Sequence, residues 1–445
     1  MTAGKEVGRL LLLAAPIIFG NLSGVAIQFT DAVMVAQIGT SAFAAVGLAG
    51  HVGAVVFLFC SGFAQAIGVR VAQVAGANPD DRGTLCSSLW QGIWLILATS
   101  VPLSLALFGI EAIFVATGQP AEVSAIATSY IQVFLFSIPL MVLFVGLGAT
   151  ATALARPVLL MAVSIAAIGI NFLGNYALIF GNWGAPRLGA EGAALASIVS
   201  AGFQVAAMLI LFSLDRKLAR LHLWRGLCLP RRHELSVMFK SGLPIGLILL
   251  AEVLFFSATA FLAGRYGTAN LAGHQVAIQI VTLTLMIALG LGQATTVRVA
   301  NAYGRGDNAG VRRSGLVGAV LTTAIMTVIA AVLLGYARSV AEVFMQPSGQ
   351  ATVFAASFIV IAALFQVADG VQTVLVAALR AINDSRVPLA FAIVSYWVVG
   401  MGTILVLAWK TQLEGLGIWI GMASALFVLA ILLFGRFWLG VRHKA

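Results

Sequence analysis

Twelve apolar stretches, each long enough to cross a bilayer and separated by short polar breaks, constrain this chain more than any motif does. About 20 helical residues at 1.5 Å each span the roughly 30 Å hydrocarbon layer. Inside lipid, a backbone can satisfy its own hydrogen bonds only as helices or closed barrels. The stretches fall at 10–37, 46–75, 86–108, 125–147, 157–180, 190–213, 238–263, 272–302, 314–335, 352–378, 388–408 and 416–438. The chain is 61% hydrophobic and only 9% charged, against about 25% charged in a soluble domain. The expected fold is an all-α polytopic membrane protein of twelve transmembrane helices.

The basic residues test this path. With the N-terminus placed inside, 21 of the 25 Lys and Arg fall on inner segments, leaving Arg187, Arg265, Arg338 and Lys410 outside. An odd number of spans would scramble that split, so both termini are expected in the cytoplasm. The same bias explains the formal charge of +10, which in a soluble protein would suggest a nucleic-acid partner; none is expected here. The first apolar run continues through Asp31 to about Ile38, too long for a cleavable signal. Cys60, Cys86 and Cys228 are too scattered for a disulfide framework or metal cluster.

The longest and most basic connection, Asp215–His233, divides the chain into halves that match. Sliding the first by 228 residues lays Pro16 on Pro244, Gly39-Thr40 on Gly267-Thr268 and Ala44 on Ala272. In the same register QAIGVRVAQVAG (65–76) falls on QATTVRVANAYG (293–304), with seven of twelve positions identical. The expected organisation is an N-terminal six-helix bundle (1–213), a basic cytoplasmic linker (214–236) and a C-terminal six-helix bundle (237–445). Each bundle starts and ends inside, so a pseudo-two-fold axis along the membrane normal relates them. An alternating-access transporter needs this arrangement; a channel does not.

Three acids break the apolar pattern: Asp31, Glu252 and Asp369. A charged side chain at that depth costs on the order of 2.5–3.5 kcal/mol on insertion scales, so such residues point to function. They do not obey the repeat: Asp31 faces Thr259, and Glu252 faces Gly24. One acid is therefore expected to work in the first bundle and a separate pair in the second. Asn171 and Asn175, four residues apart on one helix face, are candidate partners of Asp31 in a hard-oxygen site for a proton or small cation. Glu252 and Asp369 could hold a proton, Na⁺ or an organic cation, and no base lies at mid-span to pair with them. Phe255, Phe256 and Phe365, with Tyr396 and Trp397, could offer aromatic faces to a flat cation. His51 and His274 suit helix ends or packing, and Gly20-xxx-Gly24 suits close helix contact. No nucleophile–base arrangement, phosphate loop or metal motif is visible, so no enzyme and no cofactor is expected.

These segments resemble the multidrug and toxic compound extrusion (MATE) family, on its NorM-like branch. The resemblance rests on AAPIIFGNLSGVAIQFTDAVMVAQIG, on NFLGNYALIFG with the following GAPRLGAEGAALAS, on SGLPIGLILLAEV and on VADGVQ. It implies a monomeric multidrug efflux antiporter of the bacterial inner membrane, surrounded by membrane lipid, exporting hydrophobic organic cations as H⁺ or Na⁺ enters. It also implies ion coupling at Asp31, Asn171 and Asn175, and cation binding at Glu252 and Asp369. Phe365 stands where relatives can carry Tyr, removing one possible oxygen ligand for Na⁺. The alternative, a lipid-linked oligosaccharide flippase, would be expected to line its cavity with bases.

Overall fold

The computed structural model describes residues 3–219, 228–345, 349–411 and 413–442. Part of the expected linker, 220–227, lies outside the described residues, with Arg220, His222 and Arg225; so do His443 and Lys444. All regular elements among the described residues are helical. In the first half they are α1 (Ala3–Ala36), α2 (Thr40–Ala77), α3 (Arg82–Ala106), α4 (Glu111–Ala116), α5 (Ala121–Phe134), α6 (Ser137–Ala153), α7 (Pro157–Phe180) and α8 (Ala190–Leu214). In the second they are α9 (Arg232–Gly264), α10 (Thr268–Gly304), α11 (Asn308–Phe344), α12 (Gln350–Ala381), α13 (Arg386–Ile393), α14 (Met401–Lys410) and α15 (Glu414–Arg442).

Eleven runs are long and apolar enough to cross a membrane, and the α5–α6 pair makes twelve if it is one span. That pair is the stretch expected at 125–147, and it is bent by 46°. Pro139, in the first turn of α6, favours a break here, since it has no N–H to give and its ring would strike the carbonyl of Leu135, whereas Pro16, Pro102 and Pro244 are accommodated inside continuous helices. A second irregularity separates α13 from α14, where Val394–Gly400 forms a π-helix.

The described chain forms two compact units. One comprises Met1–Ile18 with Leu247–Ala445, the other Phe19–Gly246. The boundaries lie inside α1 and α9 rather than in the linker, and they are themselves 228 residues apart (246 − 18). Each follows a helix-internal proline, Pro16 or Pro244.

The repeat reaches into backbone detail. Gly39 and Gly267 precede α2 and α10 with φ of 142° and 97°, conformations that a side chain disfavours. Asp81 and Asp307 cap α3 and α11, accepting from the N–H groups of Thr84 (3.1 Å) and Gly310 (2.7 Å). In the Phe19–Gly246 unit, a Cβ on Gly62 would collide with the backbone of Gly246; in the other unit, a Cβ on Gly290 would collide with Ile18. These crossings are repeat equivalents. The Gly20-xxx-Gly24 expectation holds only in part: Gly20 meets Leu160, but Gly24 opens onto space.

In the unit containing the C-terminal half, Leu10, Ala14 and Ile17 of α1 pack against Leu291, Ala294 and Val374. A turn earlier, buried Glu6 takes Arg298 in a two-pronged ion pair (Nε–Oε1 2.9 Å, Nη2–Oε2 2.8 Å), and the Ser314 hydroxyl donates to Oε1 at 2.7 Å.

Candidate functional site

In the Phe19–Gly246 unit, α1 presents Asp31, while α7 and α8 supply its partners. α7 and α8 approach closely because residue 192 is glycine: a Cβ there would run into the Leu178 carbonyl. Asn171 and Asn175, a turn apart on α7, are fully buried. The Asn175 amide donates to Asp31 Oδ1 at 2.6 Å and shares a longer contact, 3.2 Å, with Asn171 Oδ1. The Ser197 hydroxyl of α8 lies 3.4 Å from Asp31 Oδ2. No Lys or Arg acts on the carboxylate among the described residues. The Asn171 amide also helps hold the Asp31 charge, and Asn175 Oδ1 is buried without a protein partner, so the cluster retains an unused acceptor. The structure thus brings together Asp31, Asn171 and Asn175, and adds Ser197. The signal for Ser197 was in the sequence, at the last position of GAPRLGAEGAALAS.

The two helices that carry Asp31 and Asn175 also line a pocket of about 500 Å³, with Phe29, Val33, Phe172, Tyr176 and Phe180 on its walls and Thr30 and Asn182 among its polar members. Phe29 and Thr30 immediately precede Asp31 in chain order, and Tyr176 follows Asn175. Sequence reasoning missed these aromatics because it looked for them around the second-half acids.

In the other unit, Asp369 is buried on α12 and accepts from the Gln372 amide at 3.1 Å. Glu252, on α9, is half-buried and close enough to Asp369 for the two charges to act on one another. Gln366 Oε1, one turn before Asp369, and Tyr396 Oη are buried polar atoms with no hydrogen-bond partner. Tyr396 sits in the π-helical stretch, a distortion often found at functional sites. Its ring stacks on Phe255 (centroids 5.3 Å), which meets Phe256 edge-on (5.9 Å). Phe255 and Phe365 present no surface in this structure, Phe365 being stacked on Trp419 (6.0 Å), while Phe256 is partly exposed. His274 packs edge-on against Trp419 (5.4 Å), in line with a packing role.

The sequence model of the family described as MatE matches residues 16–177 and again 244–406, two copies that begin 228 residues apart. The chain belongs to the MatE family. Among relatives of this MatE chain, a "Probable multidrug resistance protein NorM" of Bradyrhizobium diazoefficiens is 37% identical over 442 residues, covering 97% of this chain and 93% of that one. Another of the same name from Agrobacterium fabrum is 32% identical over 438 residues, covering 98% and 94%. In fold, it is similar to the eukaryotic MATE transporter AtDTX14 (TM-score 0.88, 21% identity, 99% and 98% of the two chains). It is also similar to the Vibrio cholerae MATE transporter VcmN in its bent form (TM-score 0.87, 18% identity, 99% and 98%). Family membership makes the MatE chain a multi-pass membrane transporter rather than an enzyme.

Proposed function

We propose that this MatE chain is a multidrug efflux antiporter of the bacterial inner membrane, with both termini in the cytoplasm, working as a monomer. It exports hydrophobic organic cations while H⁺ or Na⁺ moves inward, by alternating access. The observation that carries this reading is the Asp31 cluster: a membrane-embedded carboxylate held by Asn175 at 2.6 Å, with no base beside it and spare amide capacity around it. An acid so placed costs insertion energy and forms no ion pair, which suits a group that takes up and releases a cation.

Asp31, with Asn171, Asn175 and Ser197, binds the coupling ion. The aromatic pocket at Phe29, Phe172 and Tyr176, on the same two helices, receives a hydrophobic cation, so occupation of Asp31 by a coupling ion weakens the electrostatic hold on the drug. Glu252 and Asp369 form the second cation site, for Na⁺ or for substrate, with Gln366 Oε1 and Tyr396 Oη as further oxygens. Phe255, Phe256 and Phe365 are the aromatic contacts there, with Phe255 and Phe365 needing a shift before a substrate can touch them. Each charge carried inward gains about 2.3 kcal/mol per 100 mV. One monovalent drug exchanged for one H⁺ is electroneutral and draws only on the pH gradient, about 1.4 kcal/mol per unit.

The test is efflux of a fluorescent cation from proteoliposomes under separately imposed H⁺ and Na⁺ gradients. Efflux driven by one gradient supports the antiporter and names its ion. Absence of efflux under both, from folded protein, refutes the reading and moves the weight to the flippase.

A further inference from the structure

On the side of the membrane that the arginine bias assigns to the cytoplasm, the unit containing the C-terminal half encloses a pocket of about 440 Å³. This is within the roughly 300–1,000 Å³ of small-molecule sites. Its charged walls are Arg9 of α1, Arg298 and Arg305 at the end of α10, and Asp307 and Arg313 at the start of α11. Arg298 and Arg305 are seven apart with Ala302 between them, so all three share one helix face. Of the two acids nearby, Glu6 is held by Arg298 and Ser314 and also feels the Arg313 charge, and Asp307 accepts from the backbone of Gly310. Four guanidiniums against two carboxylates leave the cluster positive.

The repeat supplies an internal control. The α10–α11 corner has its counterpart between α2 and α3, where the two N-caps, Asp81 and Asp307, mark equivalent positions. Counted from those caps, Ser314 corresponds to Ser88, and Arg313 to Ser87. In the 228 register, Arg298 corresponds to Arg70, but Arg305 corresponds to Ala77 and Arg9 to Val237. The first repeat builds the same corner with no arginine at the positions equivalent to the other three, its own second arginine, Arg82, standing at a different place. Arg9, Arg305 and Arg313 converge on a cavity in one repeat only, as expected of a ligand site rather than of packing.

We infer that the pocket bounded by Arg9, Arg298, Arg305 and Arg313 binds a phosphate-bearing anion. Arginine forks match phosphate oxygens in pairs, and basic pockets between helices at this membrane face suit anionic lipid headgroups. The phosphate can belong to a lipid or to a soluble compound.

The experiment uses the full chain in phosphatidylcholine nanodiscs, following the thermal midpoint as cardiolipin or, separately, inorganic phosphate is added. Wild type should show saturable stabilisation. Each arginine removed should weaken the response about fivefold, and R9Q/R305Q/R313Q together on the order of 100-fold. R305Q alone changes one exposed side chain and guards against a folding defect in the triple variant. A control triple, R82Q/R216Q/K240Q, removes the same charge from exposed positions elsewhere and should respond as wild type does. A response to cardiolipin alone identifies a lipid site, and a response to inorganic phosphate identifies a soluble ligand. Equal weakening in both triples, or no stabilisation of wild type by either probe, overturns the inference.

Discussion

Replacing Glu6 with Gln tests whether the repeat has been elaborated differently in its two halves. Glu6 corresponds to Glu234 and Arg298 to Arg70 in the 228 register. Only the first pair is made: Glu6 is 0% and Arg298 19% exposed, whereas Glu234 is half-buried and forms no ion pair among the described residues. Glu6→Gln keeps the shape but removes the charge from a two-pronged contact with Arg298 and a third bond from Ser314. Breaking a fully buried pair costs about 3–5 kcal/mol, and losing an exposed one about 0–1. Arg298 retains some access to water, so the cost should be about 2–3 kcal/mol. At about 2–4 °C per kcal/mol for a unit of this size, the thermal midpoint in detergent should fall by roughly 5–10 °C. Glu234→Gln should leave it within about 2 °C, corresponding to a surface change of no more than about 0.5 kcal/mol. Equal shifts in the two variants would refute the asymmetric reading.

Three further outcomes follow from the geometry. Burial pushes the Asp215 carboxyl up, but the N–H groups of Lys217 and Leu218 and the Arg156 guanidinium outweigh it and hold the pKa below the ordinary 3.8. A depressed carboxyl contributes stability above its unfolded pKa and loses it as pH falls through the folded one. Asp215→Asn should thus lower the midpoint slightly at pH 7, by at most about 1 kcal/mol, with the difference closing below about pH 4. Gly62→Ala drives a methyl into the backbone of Gly246 and should cost about 3 kcal/mol or more. Gly24→Ala, which meets open space, should stabilise α1 by about 0.5–1 kcal/mol, both read as thermal midpoints. Asn175→Leu removes the 2.6 Å donor to Asp31, a charge-assisted bond worth about 1.5–3 kcal/mol, and should cut efflux at least tenfold with the protein still folded.

Much of the fold was legible because lipid imposes a simple rule: long apolar runs must be helices. The 228-residue register, read from Val-Arg-Val-Ala, reappears in the family matches, in the glycines before α2 and α10 and in the two unit boundaries. The Asp31–Asn175 contact was reachable for the same reason, since two polar groups on neighbouring apolar helices have few other partners. What escaped depends on helix rotation and local backbone. A helix hydrophobic all round carries no stripe to show which side faces a neighbour, so the pocket that Phe29 and Tyr176 line could not be foreseen. The bend at Leu135–Phe136 lies one turn before Pro139, but Pro16, Pro102 and Pro244 sit in unbroken helices, so proline alone does not locate a break, and the π-helix carrying Tyr396 has no signature in composition. The Glu6–Arg298 pair joins residues 292 apart in the chain, a partnership that no local spacing shows.

The central claim is that acids inside the membrane couple ion movement to export. Its most direct measurement is gradient-driven efflux in proteoliposomes, comparing wild type with Asp31→Asn, Glu252→Gln and Asp369→Asn at matched amounts of folded protein. The account predicts transport in the wild type and its loss in Asp31→Asn, with Glu252→Gln and Asp369→Asn also impaired. A normally active Asp31→Asn protein under the same gradient would contradict it.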